Sequence, residues 1–112
     1  VRDFHYVGDL LRAYDLVLGR FDGIAGRALN LGTGVGTTIQ SLADTMIAIA
    51  ADEWQDAELG RLTPIHAAPR PGEVAGMVAD TRRATEALGF AAEVSIENAL
   101  RRYLRWFAGE FG

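Results

Sequence analysis

The chain has no cysteine and no lysine in 112 residues, and only three prolines. Without cysteine it has no disulfide framework and no thiolate metal site, and nothing hints at an oxidising compartment. A cytoplasmic address is the resulting expectation. Without lysine, every cationic side chain is an arginine, a planar fork of donors that grips phosphate oxygens two at a time, as an ammonium cannot. No apolar run reaches membrane-spanning length and no signal-peptide pattern opens the chain, so no membrane partner is expected. The net charge is −4 and the arginines are scattered rather than striped, which argues against nucleic acid as a partner. His5 and His66 lie far apart with no local carboxylate–histidine pattern, so neither a metal site nor acid–base chemistry is expected of them.

What is present is an ordinary globular balance, 49% hydrophobic and 23% charged, in one domain large enough to bury a core. Apolar residues recur at helical spacing from about Asp9 to Phe21 (Leu10, Ala13, Tyr14, Val17, Leu18, Phe21), with Asp9 placed to cap the start. Arg27 to Leu31 reads as a buried strand. Thr37-x-x-Gln40 reads as a capping box opening a second helix through Ile39, Leu42, Met46 and Ile47. Residues 52–61 suggest a loop or fraying helix end, and 62–67 and 74–78 short extended pieces. Asp80 is expected to cap a short third helix stopped by Gly89, with Phe90 folding back, and Ser95 to cap a fourth. The fourth helix shows an apolar face of Ile96, Ala99, Leu100, Tyr103, Leu104 and Phe107, opposite Arg101, Arg102 and Arg105. The class is therefore α/β, four helices with short strands.

Three stretches carry chemistry. Arg2-Asp3-Phe4-His5-Tyr6-Val7-Gly8-Asp9 and Ala68-Pro69-Arg70-Pro71-Gly72-Glu73 each set one arginine in a rigid, partly apolar frame suited to a phosphate. Between them lies the glycine loop Asn30-Leu31-Gly32-Thr33-Gly34-Val35-Gly36-Thr37. A dinucleotide-binding G-x-G-x-x-G would need glycine at 37 and finds Thr37, so that reading fails on spacing. An S-adenosylmethionine loop also runs strand, glycines, helix, although an acidic residue is usual where Asn30 stands; a methyltransferase fragment is thus one alternative. An independent small binding or structural protein is another. Asp3, Asp9 and Asp80 read as caps and backbone anchors rather than catalytic acids.

In their order, these stretches resemble the C-terminal part of the NAD-dependent epimerase/dehydratase family, the extended short-chain dehydrogenase/reductases that act on nucleotide-diphosphate sugars. Ala79-Asp80-Thr81, Leu88-Gly89-Phe90 and Trp106-Phe107 extend the resemblance over nearly the whole chain. The family's Gly-x-x-Gly-x-x-Gly loop and catalytic Tyr-x-x-x-Lys have no counterpart here, and the chain opens on Val1. The resemblance therefore implies the substrate-binding tail of a longer, UDP-glucose 4-epimerase-like isomerase. Residues 1–31 would pack on a missing dinucleotide-binding (Rossmann) half, and 32–112 would form the small lobe.

By the same resemblance, Arg2 and Arg70 hold the diphosphate of a nucleotide sugar and Glu73 bonds ribose or sugar hydroxyls. Phe4 packs on the nucleotide, Ile39 lies near the base, and Asn30 supports the turn. NAD would serve the parent enzyme, with no cofactor expected for this chain alone. His5 and Met77 depart from the family's usual residues and leave base and sugar specificity open. Excised, the chain is expected to associate with itself through Leu10, Tyr14, Val17 and Phe21, an apolar strip that water disfavours.

Overall fold

A computed structural model describes residues 1–111. Helices dominate: α1 (Val7–Gly19), α2 (Phe21–Ile24), α3 (Ile39–Glu53), α4 (Arg82–Leu88) and α5 (Ile96–Phe111), with a 3₁₀ turn at Leu59–Arg61. Extended pairing among the described residues is limited to two isolated bridges, both made by Arg2: antiparallel to Thr37 and parallel to Met77. The strand expected at 27–31 finds no ladder partner. Its alternation survives, since Leu29 and Leu31 pack against the core while Ala28 and Asn30 face out. A strand needs a neighbour to satisfy its amides and carbonyls, and this segment has none here. The run at 62–67 likewise joins no ladder, whereas 74–78 is pinned at Met77.

The principal core is small. Ala13 of α1, Ile24 of α2, Ala84 and Leu88 of α4, and Phe90 just beyond α4 are buried together, with Leu16 and Val17 packed on them. Phe90 is fully enclosed, and its burial contributes about 3 kcal/mol. Its position follows from the end of α4. Gly89 sits in the left-handed region at φ 66°, its amide donates to the Thr85 carbonyl at 2.8 Å, and the chain reverses so that Phe90 covers the helix it has just left. A second contact packs α3 on α5 and buries Ile49 and Leu104.

Helix starts differ from expectation in instructive ways. Asp9 does not cap α1, whose N-cap is Tyr6 with no side-chain bond. Its carboxylate, 2% exposed, instead accepts from the amides of Glu93 and Val94 at 3.1 Å each and from Arg12 at 3.0 Å. It is the anchor, not the cap, that the sequence also allowed. Arg12 completes this lock by reaching the Ala91 carbonyl and lying over the Phe90 ring, 5.3 Å from its centroid. The cap of α3 is Thr38, one residue after Thr37, with Oγ1 accepting from the Ser41 amide at 3.0 Å. Thr37 is unavailable because its amide and carbonyl both pair with Arg2, at 2.8 Å each. Thr81 immediately precedes α4 but makes no side-chain bond to it; the capping bond comes from Asp80, as expected, one residue earlier, its carboxylate accepting from the Arg82 amide and also from the Arg82 guanidinium. Ser95 caps α5 as expected, through the Asn98 amide.

The arginines of α5 reach partners on other segments, although Arg102 and Arg105 stay exposed. Arg101 and Arg105 converge on Glu53 at the end of α3, with N···O distances of 2.6 and 2.7 Å, and Arg102 lies over the Tyr6 ring at 5.0 Å. The bonds from Arg105 and Arg101 hold the Glu53 carboxyl down at about 2.

Candidate functional site

The two bridges of Arg2 bring together three segments that are remote in sequence: the first residues, the glycine loop and the 70–79 loop. The Met77 amide donates to the Val1 carbonyl at 3.1 Å. The Arg2 guanidinium folds back over this junction, with Nη1 donating to the Val74 carbonyl at 2.9 Å and Nη2 lying 4.0 Å from a Glu73 carboxylate oxygen. Arg70 sits on the same turn, which closes when the Glu73 amide donates to the Arg70 carbonyl at 3.2 Å, with Gly72 at φ 76°. Arg2, Arg70 and Glu73 thus belong to one locale, two cations and a carboxylate around an exposed loop. Such a set suits an anion flanked by hydroxyl groups, because the arginine forks neutralise and orient phosphate oxygens while the carboxylate accepts from hydroxyls.

The other residues singled out in the sequence are distributed around this locale. Phe4 lines an apolar groove of about 760 Å³ between α3 and α5, together with Tyr6, Met46, Ile96, Tyr103 and Trp106. Ile39 opens α3 two residues after Thr37 and is 58% exposed. Asn30 is elsewhere: its Nδ2 lies 3.5 Å from the Asp80 carbonyl, in a shallow polar pocket with Arg82 and Arg83. It is not in the Arg2–Glu73 cluster.

The glycine loop has a definite occupant, and it is protein. The Asp3 carboxylate lies in the loop, with Oδ1 accepting from the Thr33 amide at 2.9 Å and the Thr33 hydroxyl at 2.6 Å. Oδ2 accepts from the amides of Gly34 at 2.9 Å and Ala79 at 3.2 Å. Burial by itself would raise the Asp3 pKa, but these bonds outweigh it and hold the carboxyl below its ordinary value. Gly32 makes the approach possible, since a Cβ there would stand 2.6 Å from Asp3 Oδ2 and 2.8 Å from the Ala79 Cβ. Gly34 adopts φ 72°, which turns its amide inward. The donors that would cradle a dinucleotide pyrophosphate are therefore committed to Asp3, and these residues do not fit NAD at that loop. Thr33 is the site residue that sequence reasoning passed over; its one signal was a hydroxyl between two glycines.

Residues 1–103 match the family described as GDP-mannose 4,6 dehydratase. A UDP-glucose 4-epimerase of Caenorhabditis elegans is 31% identical over 110 residues, covering 95% of this chain and 29% of that protein. The chain therefore spans less than a third of that relative's length. Among solved structures, a UDP-glucose 4-epimerase from Bifidobacterium longum in complex with NAD+ and UDP superposes with a TM-score of 0.72 at 27% identity, over 96% of this chain and 30% of that one. MoeE5 in complex with UDP-glucuronic acid and NAD does so with 0.69 at 27% identity, over 97% and 33%. Family match and likeness both run along nearly the whole chain, and the chain belongs to the GDP-mannose 4,6 dehydratase family, among the NAD-dependent epimerases and dehydratases.

Proposed function

We propose that this chain is the nucleotide-sugar-binding part of an NAD-dependent sugar-nucleotide epimerase or dehydratase, and that it is catalytically incomplete alone. The observation that carries the reading is the convergence of Arg2, from one end of the chain, on the loop holding Arg70 and Glu73. Arg2 and Arg70 clamp the diphosphate between them and Glu73 accepts from ribose or sugar hydroxyls. Phe4 and Ile39 supply apolar contact for the nucleotide, while Asn30 acts at one remove by holding the Asp80 backbone. The residues of this chain bind and orient the substrate. The hydride chemistry belongs to NAD and to residues outside these 112, since the sequence has no Tyr-x-x-x-Lys.

The surface supports a chain built to be covered. It exposes 8013 Å², against roughly 6,000 Å² for a monomer of its size, and its radius of gyration is 17.1 Å, against about 13 Å. Part of the excess is an apolar strip along α1 and α2: Val7, Leu11, Tyr14, Leu18 and Phe21, all more than half exposed. The strip differs from the expected one, because Leu10 is half-buried and Val17 turns inward onto the core. Residues 1–31 thus present a face for a dinucleotide-binding half, with 32–112 as the small lobe. Without that cover, the strip drives self-association.

Titration calorimetry with UDP tests the site. Arg2→Ala or Arg70→Ala is expected to weaken binding by roughly 1.5–3 kcal/mol, the range for hydrogen bonds to a charged group. Lysine at either position restores charge but only part of the loss. The double alanine variant costs less than the sum, because the two arginines share one charged ligand. Single alanine variants with wild-type affinity would end the reading.

A further inference from the structure

We propose that Asp3 is a positioning residue for the phosphate site, its carboxylate filling the amide cup of the glycine loop and so fixing the backbone from which Arg2 reaches its ligand. The inference rests on the reading that Arg2 takes a substrate phosphate. Its basis is geometric. The four bonds to Asp3 come from two segments, Thr33–Gly34 and Ala79, and those segments lead into the two backbone partners of Arg2, Thr37 and Met77. The glycine loop is shaped around the carboxylate, as the absence of room for a Cβ at Gly32 shows. Asp3 supplies internally the negative charge that such a cup otherwise takes from a ligand. Without it, the loop amides lose their acceptor and the junction under Arg2 loosens. The guanidinium then keeps its charge but not its place.

The test titrates UDP into the purified wild-type protein and its Asp3→Ala, Asp3→Asn and Arg2→Ala variants, with and without added formate. Asp3→Ala is expected to bind UDP about ten-fold or more weakly although Arg2 and Arg70 are intact. Asp3→Asn, which keeps one acceptor, should fall between. Formate, a carboxylate small enough for the vacated cup, should restore UDP affinity in Asp3→Ala but not in Arg2→Ala, and chloride at equal ionic strength should restore neither. Asp3→Ala with wild-type affinity, or a loss that formate does not repair, overturns the positioning role while the reading of Arg2 stands. Arg2→Ala with wild-type affinity overturns that reading, and a wild-type protein that does not bind UDP overturns both. If Asp3→Ala does not fold, Thr33→Val removes the 2.6 Å hydroxyl bond to Asp3 together with the bond that hydroxyl accepts from the Val35 amide at 3.0 Å; an affinity about three- to ten-fold weaker supports the role, and an unchanged one overturns it.

Discussion

Replacing Asp9 by alanine isolates the contact that ties the first helix to the start of the last. The carboxylate is 2% exposed and accepts from two backbone amides, Glu93 and Val94, and from Arg12. Each charge-assisted bond is worth about 1.5–3 kcal/mol net, and amides left partly buried without an acceptor cost about 1–3 kcal/mol each. Arg12 falls back on the Ala91 carbonyl and on Glu93, 3.4 Å away, so its share of the loss is small. Asp9→Ala should therefore destabilise the fold by roughly 3–5 kcal/mol, a large fraction of the 5–15 kcal/mol typical of a domain. In a chain of this length that lowers the melting temperature by about 12–20 °C. Asp9→Asn retains one acceptor and should lose about half as much. Thermal unfolding followed by circular dichroism at neutral pH reads all three proteins. A drop below about 1 kcal/mol for Asp9→Ala would refute the reasoning, because it would mean that water replaces the carboxylate at the two amides without loss.

Acid should act through Glu53. Its pKa falls from an ordinary 4.5 to about 2 in the fold, so its stabilising effect is complete above about 4.5 and disappears as pH falls toward 2. Melting temperatures taken from pH 7 to pH 2 should drop less across that window for Glu53→Gln than for wild type; equal drops would contradict the role of Arg101 and Arg105. Gly32→Ala forces a Cβ to within 2.6 Å of Asp3 Oδ2 and should cost roughly 1–3 kcal/mol of stability by overpacking, measured by denaturant unfolding; a neutral change would show that the loop is not shaped by Asp3. The proposed self-association should appear in light scattering as a species larger than a monomer, and combining Leu11→Glu with Leu18→Glu, at positions 59% and 76% exposed, should shift it toward monomer with helix content preserved; a wild-type monomer would refute the association, and an unchanged size distribution in the variant would place the contact elsewhere.

Much of the helical framework was legible from local pattern. Gly89 followed by Phe90 announced both the end of α4 and the aromatic that covers it, since only the left-handed turn of a glycine reverses the chain so tightly. Ser95 ahead of Ile96 likewise marked the start of α5. The capping box at 37–40 was displaced by one residue for a reason no local rule contains: the backbone of Thr37 is taken by Arg2, thirty-five positions away in sequence. Asp9 shows the same limit, because its two amide partners lie on a segment more than eighty residues later. The sequence placed the arginines of α5 opposite its apolar face, but only the packing of α3 set Glu53 against two of them.

The candidate site divides along similar lines. The sequence by itself determined that a phosphate site in this chain would draw its fixed positive charge from arginine, since no lysine is present, and that the glycine loop lacks dinucleotide spacing, since Thr37 stands where glycine is required. It also determined the helical periodicity of α1 and α5, which depends only on neighbours a turn apart. Only the tertiary structure decided that Arg2 meets the Arg70–Glu73 loop, that Asn30 stands apart from it, and that Asp3 fills the amides of the glycine loop. Those facts depend on pairings across about thirty to eighty residues, and pairing between remote segments follows from how whole elements pack and satisfy their buried polar groups, which no local spacing encodes.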